Sequence, residues 1–141
     1  MSYWTHISGV LKIQTAYEYK FYDDKDRLKL VENLKVILDN NPVTGSECDM
    51  WYYINYPPCS EATEFSGGKS IELGVYVYVT IIGNLRDRVI SETKAEFMSL
   101  VEALEKENFY IDTWGSVCYI RGYDDKIDVI ELLEELESER A

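Results

Sequence analysis

The chain has 141 residues, 46% hydrophobic and 28% charged, the size of one compact domain able to bury a core without disulfides or metal, and too apolar for a disordered segment. Its 26 acids against 14 bases give a formal net charge of -12, which argues against general nucleic-acid binding, because a phosphate-binding surface needs cations. Cys48, Cys59 and Cys118 show no framework spacing, Trp4, His6, Ser8 and Lys12 interrupt any signal-like start, and the apolar stretch Val75 to Ile82 is too short to span a bilayer, so the expected location is the cytoplasm.

In chain order, Ile7 to Ala16 sets Ile7, Gly9, Leu11, Ile13 and Thr15 against Ser8, Val10, Lys12 and Gln14, an alternation that predicts a first strand. After the aromatic stretch Tyr17 to Tyr22, the acids Asp23, Asp24 and Asp26 suit a helix start. Leu30, Val31, Leu34, Ile37 and Leu38 then share one face of a helix ending near Asn40, Asn41 and Pro42. Thr44, Gly45 and Ser46 form a turn. Asp49 to Tyr56 has the Trp and Tyr content of a strand, ended by Pro57 and Pro58.

Ser60 to Ser70, with Gly67 and Gly68, reads as a hairpin connection into the clearest strand, Ile71 to Ile82. There Ile71, Leu73, Val75, Val77, Val79 and Ile81 make an aliphatic face opposite Tyr76 and Tyr78, and Gly83 with Asn84 closes the strand. Ser91 or Thr93 opens a second helix, Thr93 and Glu96 matching a capping box, with Phe97, Leu100, Val101 and Leu104 as its buried stripe. Phe109 to Asp112 and Val117 to Arg121 predict a hairpin around Trp114, Gly115 and Ser116. A third helix, Lys126 to about Glu139, would bury Val129, Ile130, Leu133 and Leu136.

The expected architecture is a single α+β domain over residues 1–141, a mainly antiparallel sheet with helices on one face. It is ferredoxin-like in order, with an added hairpin and a C-terminal helix. The tyrosine-rich sheet face then needs a cover: the terminal helix, another subunit or a ligand.

Catalytic and metal signatures are sparse. His6 is the only histidine, and the chain lacks CxxC, GxSxG, GxxxxGK[ST] and GxGxxG, so neither a cofactor nor a metal is expected and the chain reads as non-enzymatic. The turn Thr44, Gly45, Ser46 could hold an anion on backbone N–H groups and hydroxyls, with Arg86 and Arg88 supplying charge and Trp51 a stacking surface. That site requires the two loops to meet. The alternatives are a plain connecting turn and arginines paired with Asp87 or Glu92. On the third helix Asp128, Glu131, Glu135 and Glu139 form an acidic stripe, either a protein-binding surface or a solvated face.

Three segments, Trp4 to Val10, Pro42 to Glu47 and Ile82 to Asp87, resemble a group of small, uncharacterised bacteriophage-encoded accessory proteins. Cys48 stands where that pattern commonly continues with glycine. The resemblance implies action inside an infected bacterium and supplies no catalytic residues. The expected function is inhibition or sequestration of a bacterial host component, a defence component first, and either a protein or a small signalling nucleotide. No membrane partner is expected, and a homo-oligomer is admissible. The competing classes are a small hydrolase or transferase built on an unmarked carboxylate or His6, and a virion structural or assembly protein.

Overall fold

The computed structural model describes residues 3–15, 24–55, 75–122, 129–131 and 133. Strand β1 (Trp4–Thr15) leads to helix α1 (Asp24–Asn40), strands β2 (Trp51–Asn55) and β3 (Val75–Arg86), and helix α2 (Ile90–Lys106). Strands β4 (Phe109–Ile111), β5 (Val117–Gly122) and β6 (Val129–Glu131) follow. The class is α+β with an antiparallel sheet ordered β2-β3-β1-β5-β6, β4 joining the free end of β1 beside β5. Among the described residues no helix is long and apolar enough to cross a membrane.

Period-two alternation sorts the sheet into two faces. Ile7, Leu11 and Ile13 of β1, Val77, Val79, Ile81 and Leu85 of β3, and Cys118 and Ile120 of β5 point inward and are buried. Leu30, Leu34 and Leu38 of α1 and Phe97, Leu100, Val101 and Leu104 of α2 close over them in one core cluster. The inward alternation expected at Val77 and Val79 holds, whereas Ile71 and Leu73 lie outside the described residues, as do Ser60 to Ser70 and Cys59. Gly9 is required where β1 meets β5, because a Cβ there would stand 2.1 Å from the Val117 carbonyl oxygen.

Several boundaries and motifs depart from expectation. β1 begins at Trp4 and β3 runs through Gly83 and Asn84 to Arg86, because the two strands pair residue for residue from Trp4↔Arg86 to Thr15↔Val75. That ladder overrides the local turn preference of Gly-Asn. The capping box at Thr93 and Glu96 does not form. α2 starts earlier, capped at Val89 without a side-chain bond, and the Glu96 carboxylate is used elsewhere.

The hairpin around Trp114 is also replaced. β4 and β5 both run antiparallel to β1, at Ile13↔Ile111 and from Val10↔Val117 onward, so they are one broken strand with Asp112–Ser116 bulged out against Leu11 and Lys12. The Asp112 N–H donates to the Lys12 carbonyl at 2.8 Å. The Ser116 hydroxyl accepts from the Lys12 N–H at 2.7 Å and donates to the Asp112 carbonyl at 2.6 Å. A serine side chain thus stands in for the interrupted ladder, satisfying backbone groups that would otherwise lose their partners.

The third helix expected from Lys126 is not found at Val129–Glu131, which form β6 against β5 in the register Ile120↔Ile130. A short apolar run fits strand as well as helix, and the otherwise unpaired edge of β5 decides for strand.

Val77→Asp should abolish the cooperative unfolding transition. Val77 is 2% exposed, and a buried unpaired carboxylate costs several kcal/mol against a total stability of about 5–15 kcal/mol. Thermal denaturation followed by circular dichroism tests this; an unchanged melting temperature would contradict the register.

Candidate functional site

The two loops singled out in the sequence do meet. The chain leaves α1 through Asn41–Met50 and runs beside the end of β3. There Ser46 N–H donates to the Arg86 carbonyl at 3.0 Å and the Ser46 hydroxyl to Asp87 at 2.9 Å. Gly45 allows this approach: a Cβ would lie 3.0 Å from Leu85 Cα and 2.6 Å from the Cys48 carbonyl oxygen. Asp87 turns the chain with a left-handed φ of 57°, and its N–H donates to the Tyr3 carbonyl at 2.8 Å.

The groups that could hold an anion already have partners within the protein, carboxylates for Thr44, Ser46 and Arg86. Thr44 N–H and Thr44 hydroxyl both donate to Glu96 on α2, each at 2.7 Å, so a fixed internal anion sits against the turn. Arg88 reaches Thr44 Oγ1 at 3.4 Å and the Asp87 carbonyl at 3.1 Å, while Thr5 donates to the Arg88 carbonyl at 2.6 Å. Arg86 pairs with Glu47 and lies 5.8 Å from the centre of the Trp4 ring. Trp51 stands apart from this cluster: it pairs with Ile82, about 13 Å along β3 from Arg86 by strand rise.

Of the acidic stripe only Glu131 falls among the described residues. Glu131 lies in β6 opposite Tyr119, and Asp128, Glu135 and Glu139 lie outside the described residues.

What the strand register does assemble is the outer sheet face. Across the strands, one row reads Trp51, Ile82, Ser8, Tyr119, Glu131, and the next reads Tyr53, Thr80, Val10, Val117. Trp51 is 58% and Tyr53 56% exposed, and Ile82, Tyr119, Val117 and Val10 are exposed too. The Trp51 and Tyr53 rings stack on each other, centroids 6.2 Å apart, and form a ridge along the edge strand. Beyond these rows, Lys12 sits 4.1 Å over the Tyr76 ring and 3.8 Å from Asp112, and His6 Nδ1 is 2.6 Å from Asn84 Oδ1. Trp114, at the tip of the bulge, is 97% exposed. Its backbone is fixed in the bulge, the Trp114 N–H donating to Asp112 Oδ1 at 3.0 Å.

Sequence reasoning found Tyr76 and Tyr78 on this face but missed its most exposed rings. The usable signal was the alternation in Trp51-Tyr52-Tyr53, which sends two aromatics outward and Tyr52 inward.

On the helix side a cavity of about 140 Å³ is lined by Leu38, Asp39, Val43, Asp49, Met50 and Tyr52 among others. Tyr52 donates to Asp39; burial first, then that hydrogen bond and the carboxylate charge, push its phenol up to about 12. Burial alone pushes the Cys118 thiol up to about 12, which keeps it in the unreactive protonated form. Among the described residues no cluster of His, Cys, Asp and Glu could hold a metal ion. Comparison with known protein families, curated proteins and solved structures returns no match.

Two outcomes follow. Glu96→Ala strands the Thr44 N–H and should cost about 1–3 kcal/mol in urea unfolding, because a donor left without its acceptor bears the desolvation penalty. The Tyr52 bond stabilises the fold fully below the unfolded phenol pKa of about 10 and is lost as pH rises through about 12. The stability gap between wild type and Tyr52→Phe should therefore close over that interval, as measured by urea unfolding at several alkaline pH values.

Proposed function

We propose that this chain is a non-enzymatic binding protein that blocks or sequesters a component of a bacterial host, in the setting implied by the resemblance to phage accessory proteins. The target is a protein of host defence in the bacterial cytoplasm. One observation carries the reading: the outer sheet face presents Trp51, Tyr53, Ile82, Val10, Val117 and Tyr119 together to solvent. Large aromatics with polar tips, set beside aliphatic side chains, are what protein interfaces concentrate, and a contiguous apolar patch of this kind is uncommon on a surface that meets only water.

The form of the face supports a protein target over a small nucleotide. A small ligand is held in a concave site of roughly 300–1,000 Å³, whereas these residues lie on a broad sheet. The arginines expected to grip a phosphate already hold Glu47, Thr44 and the Asp87 carbonyl. Trp114 adds a projecting aromatic side chain on a hydrogen-bonded turn, a residue type that carries much of the binding energy at interfaces.

Affinity capture from host lysate by the full chain tests this, with retained proteins identified by mass spectrometry and small molecules assayed after heat release. Tyr119→Ala with Trp114→Ala should reduce capture of the target about tenfold or more, while Val36→Ala on the exposed side of α1 leaves it unchanged. Equal capture by both variants, or release of a nucleotide instead of a protein, overturns the reading.

A further inference from the structure

We propose that the cavity between the end of α1 and the start of β2 binds a small organic cation, a short-chain alkylammonium held with its carbon chain inward and its charge at the mouth. The site lies on the helix side of the sheet and does not depend on the function proposed for the outer face.

Three elements and the loop between two of them build it. Leu38 and Asp39 come from the last turn of α1, Val43, Asp49 and Met50 from the connection to β2, Tyr52 from β2 itself, and Leu100 from α2. Leu38, Val43 and Leu100 are buried, and Met50 packs against the same core. The floor is therefore apolar. Asp39 and Asp49 are exposed, which sets their carboxylates toward solvent, above that floor.

The mouth is negative for three separate reasons, and nothing in the lining offsets them. Asp39 accepts a hydrogen bond from the Tyr52 hydroxyl on one carboxylate oxygen, which steadies the group without neutralising it. Asp49 forms no hydrogen bond or ion pair among the described residues. The last turn of α1 carries no basic residue, although the C-terminal pole of a helix bears partial negative charge and favours a cation. No Lys, Arg or His lines the cavity. One half of an ion pair is in place and the chain does not supply the other.

Charge, polarity and size together select the occupant. An anion is repelled, and a neutral apolar molecule could fill the floor but would leave both carboxylates without a counter-charge. A hard divalent metal takes six or more oxygen ligands, whereas no group of three or more metal-binding side chains occurs among the described residues. The lysine of another protein is tethered through its carbon chain, so it would have to enter ammonium first and carry its charge onto the apolar floor, at a large desolvation cost. A free alkylammonium has the opposite order. Its chain meets Leu38, Val43, Met50 and Leu100 while its ammonium stays at the rim beside Asp39 and Asp49. The volume of about 140 Å³ is close to the roughly 150 Å³ known to admit benzene in a protein interior, which sets the chain at about four to six carbons.

Titration of the full chain with butylammonium chloride, followed by amide NMR spectra, tests this. Saturable shifts are expected at Asp39, Val43, Met50 and Tyr52, with a Kd on the order of 1–10 mM. Lengthening the chain from methyl to butyl should tighten binding roughly fourfold per methylene, and butanol and butyrate should each bind at least about tenfold more weakly than butylammonium. Asp39→Asn and Asp49→Asn should weaken binding about threefold each, as exposed charge pairs do, with unchanged circular dichroism spectra. Glu102→Gln, an exposed acid of α2 outside the lining, should leave it unaltered. No saturable shift up to roughly a hundred millimolar, equal binding of butanol, or undiminished binding when both aspartates are replaced overturns the inference. So does a flat chain-length series, which would mark a surface charge effect without a cavity, and so does equal binding of a lysine tripeptide blocked at both ends, which would reverse the orientation.

Discussion

The residue-for-residue pairing of β1 with β3 is the constraint on which the rest of the structure depends. It extends over twelve positions without a break, Trp4↔Arg86 to Thr15↔Val75, and a slip of one residue would exchange the core set Ile7, Leu11 and Ile13 for Ser8, Val10 and Lys12. Because β1 is central, its other edge organises β4 and β5, and through β5 the short β6. The same ladder carries β3 past Gly83 to Arg86 and so delivers Leu85, Arg86 and Asp87 to the Gly45 turn. The loop cluster and the outer rows of aromatics are two products of one register.

Within the loop cluster, polar residues that read as ligand-binding groups tie distant segments of the fold together. Thr44, Ser46, Arg86 and Arg88 each meet a partner from a distant segment, and Glu96 provides the anion the turn was suited to bind. A backbone nest and a carboxylate satisfy each other whether the carboxylate arrives from solvent or from the chain itself. Sequence alone showed the donors at Thr44 and not the acceptor. Glu96 lies fifty-two positions away and matched a local capping pattern three residues from Thr93 just as well.

The fold class was legible because period-two alternation in β1 and β3 and the apolar stripes Leu30-Leu34-Leu38 and Phe97-Leu100-Val101-Leu104 are long enough to be unambiguous. Short segments were not. Val129–Glu131 lacks the length to separate strand from helix, and β5 decides it by offering an unpaired edge. The Trp114 turn has the composition of a hairpin loop, and nothing local reveals that both flanking strands answer to β1. The open face was half legible: Tyr76 and Tyr78 advertise it in β3, but the rings that most define it come from β2 and β5, and only the register of the whole sheet brings them to one side.

The central position of β1 also shapes how the chain must be made. β1 emerges before its partners, which lie between Val75 and Gly122, about 60 to 117 residues later, or on the order of 3–23 s of synthesis at elongation rates of about 5–20 residues per second. Through that interval both edges of a twelve-residue strand carry free backbone donors and acceptors, a template for wrong pairing. Ser8, Lys12 and Gln14, spaced along its polar side, interrupt what would otherwise be a continuous aliphatic ribbon, and a lysine near the middle disfavours stacking of one nascent chain on another. Replacing those three by aliphatic residues would leave the register of the finished sheet intact and expose the newborn chain to aggregation on the ribosome.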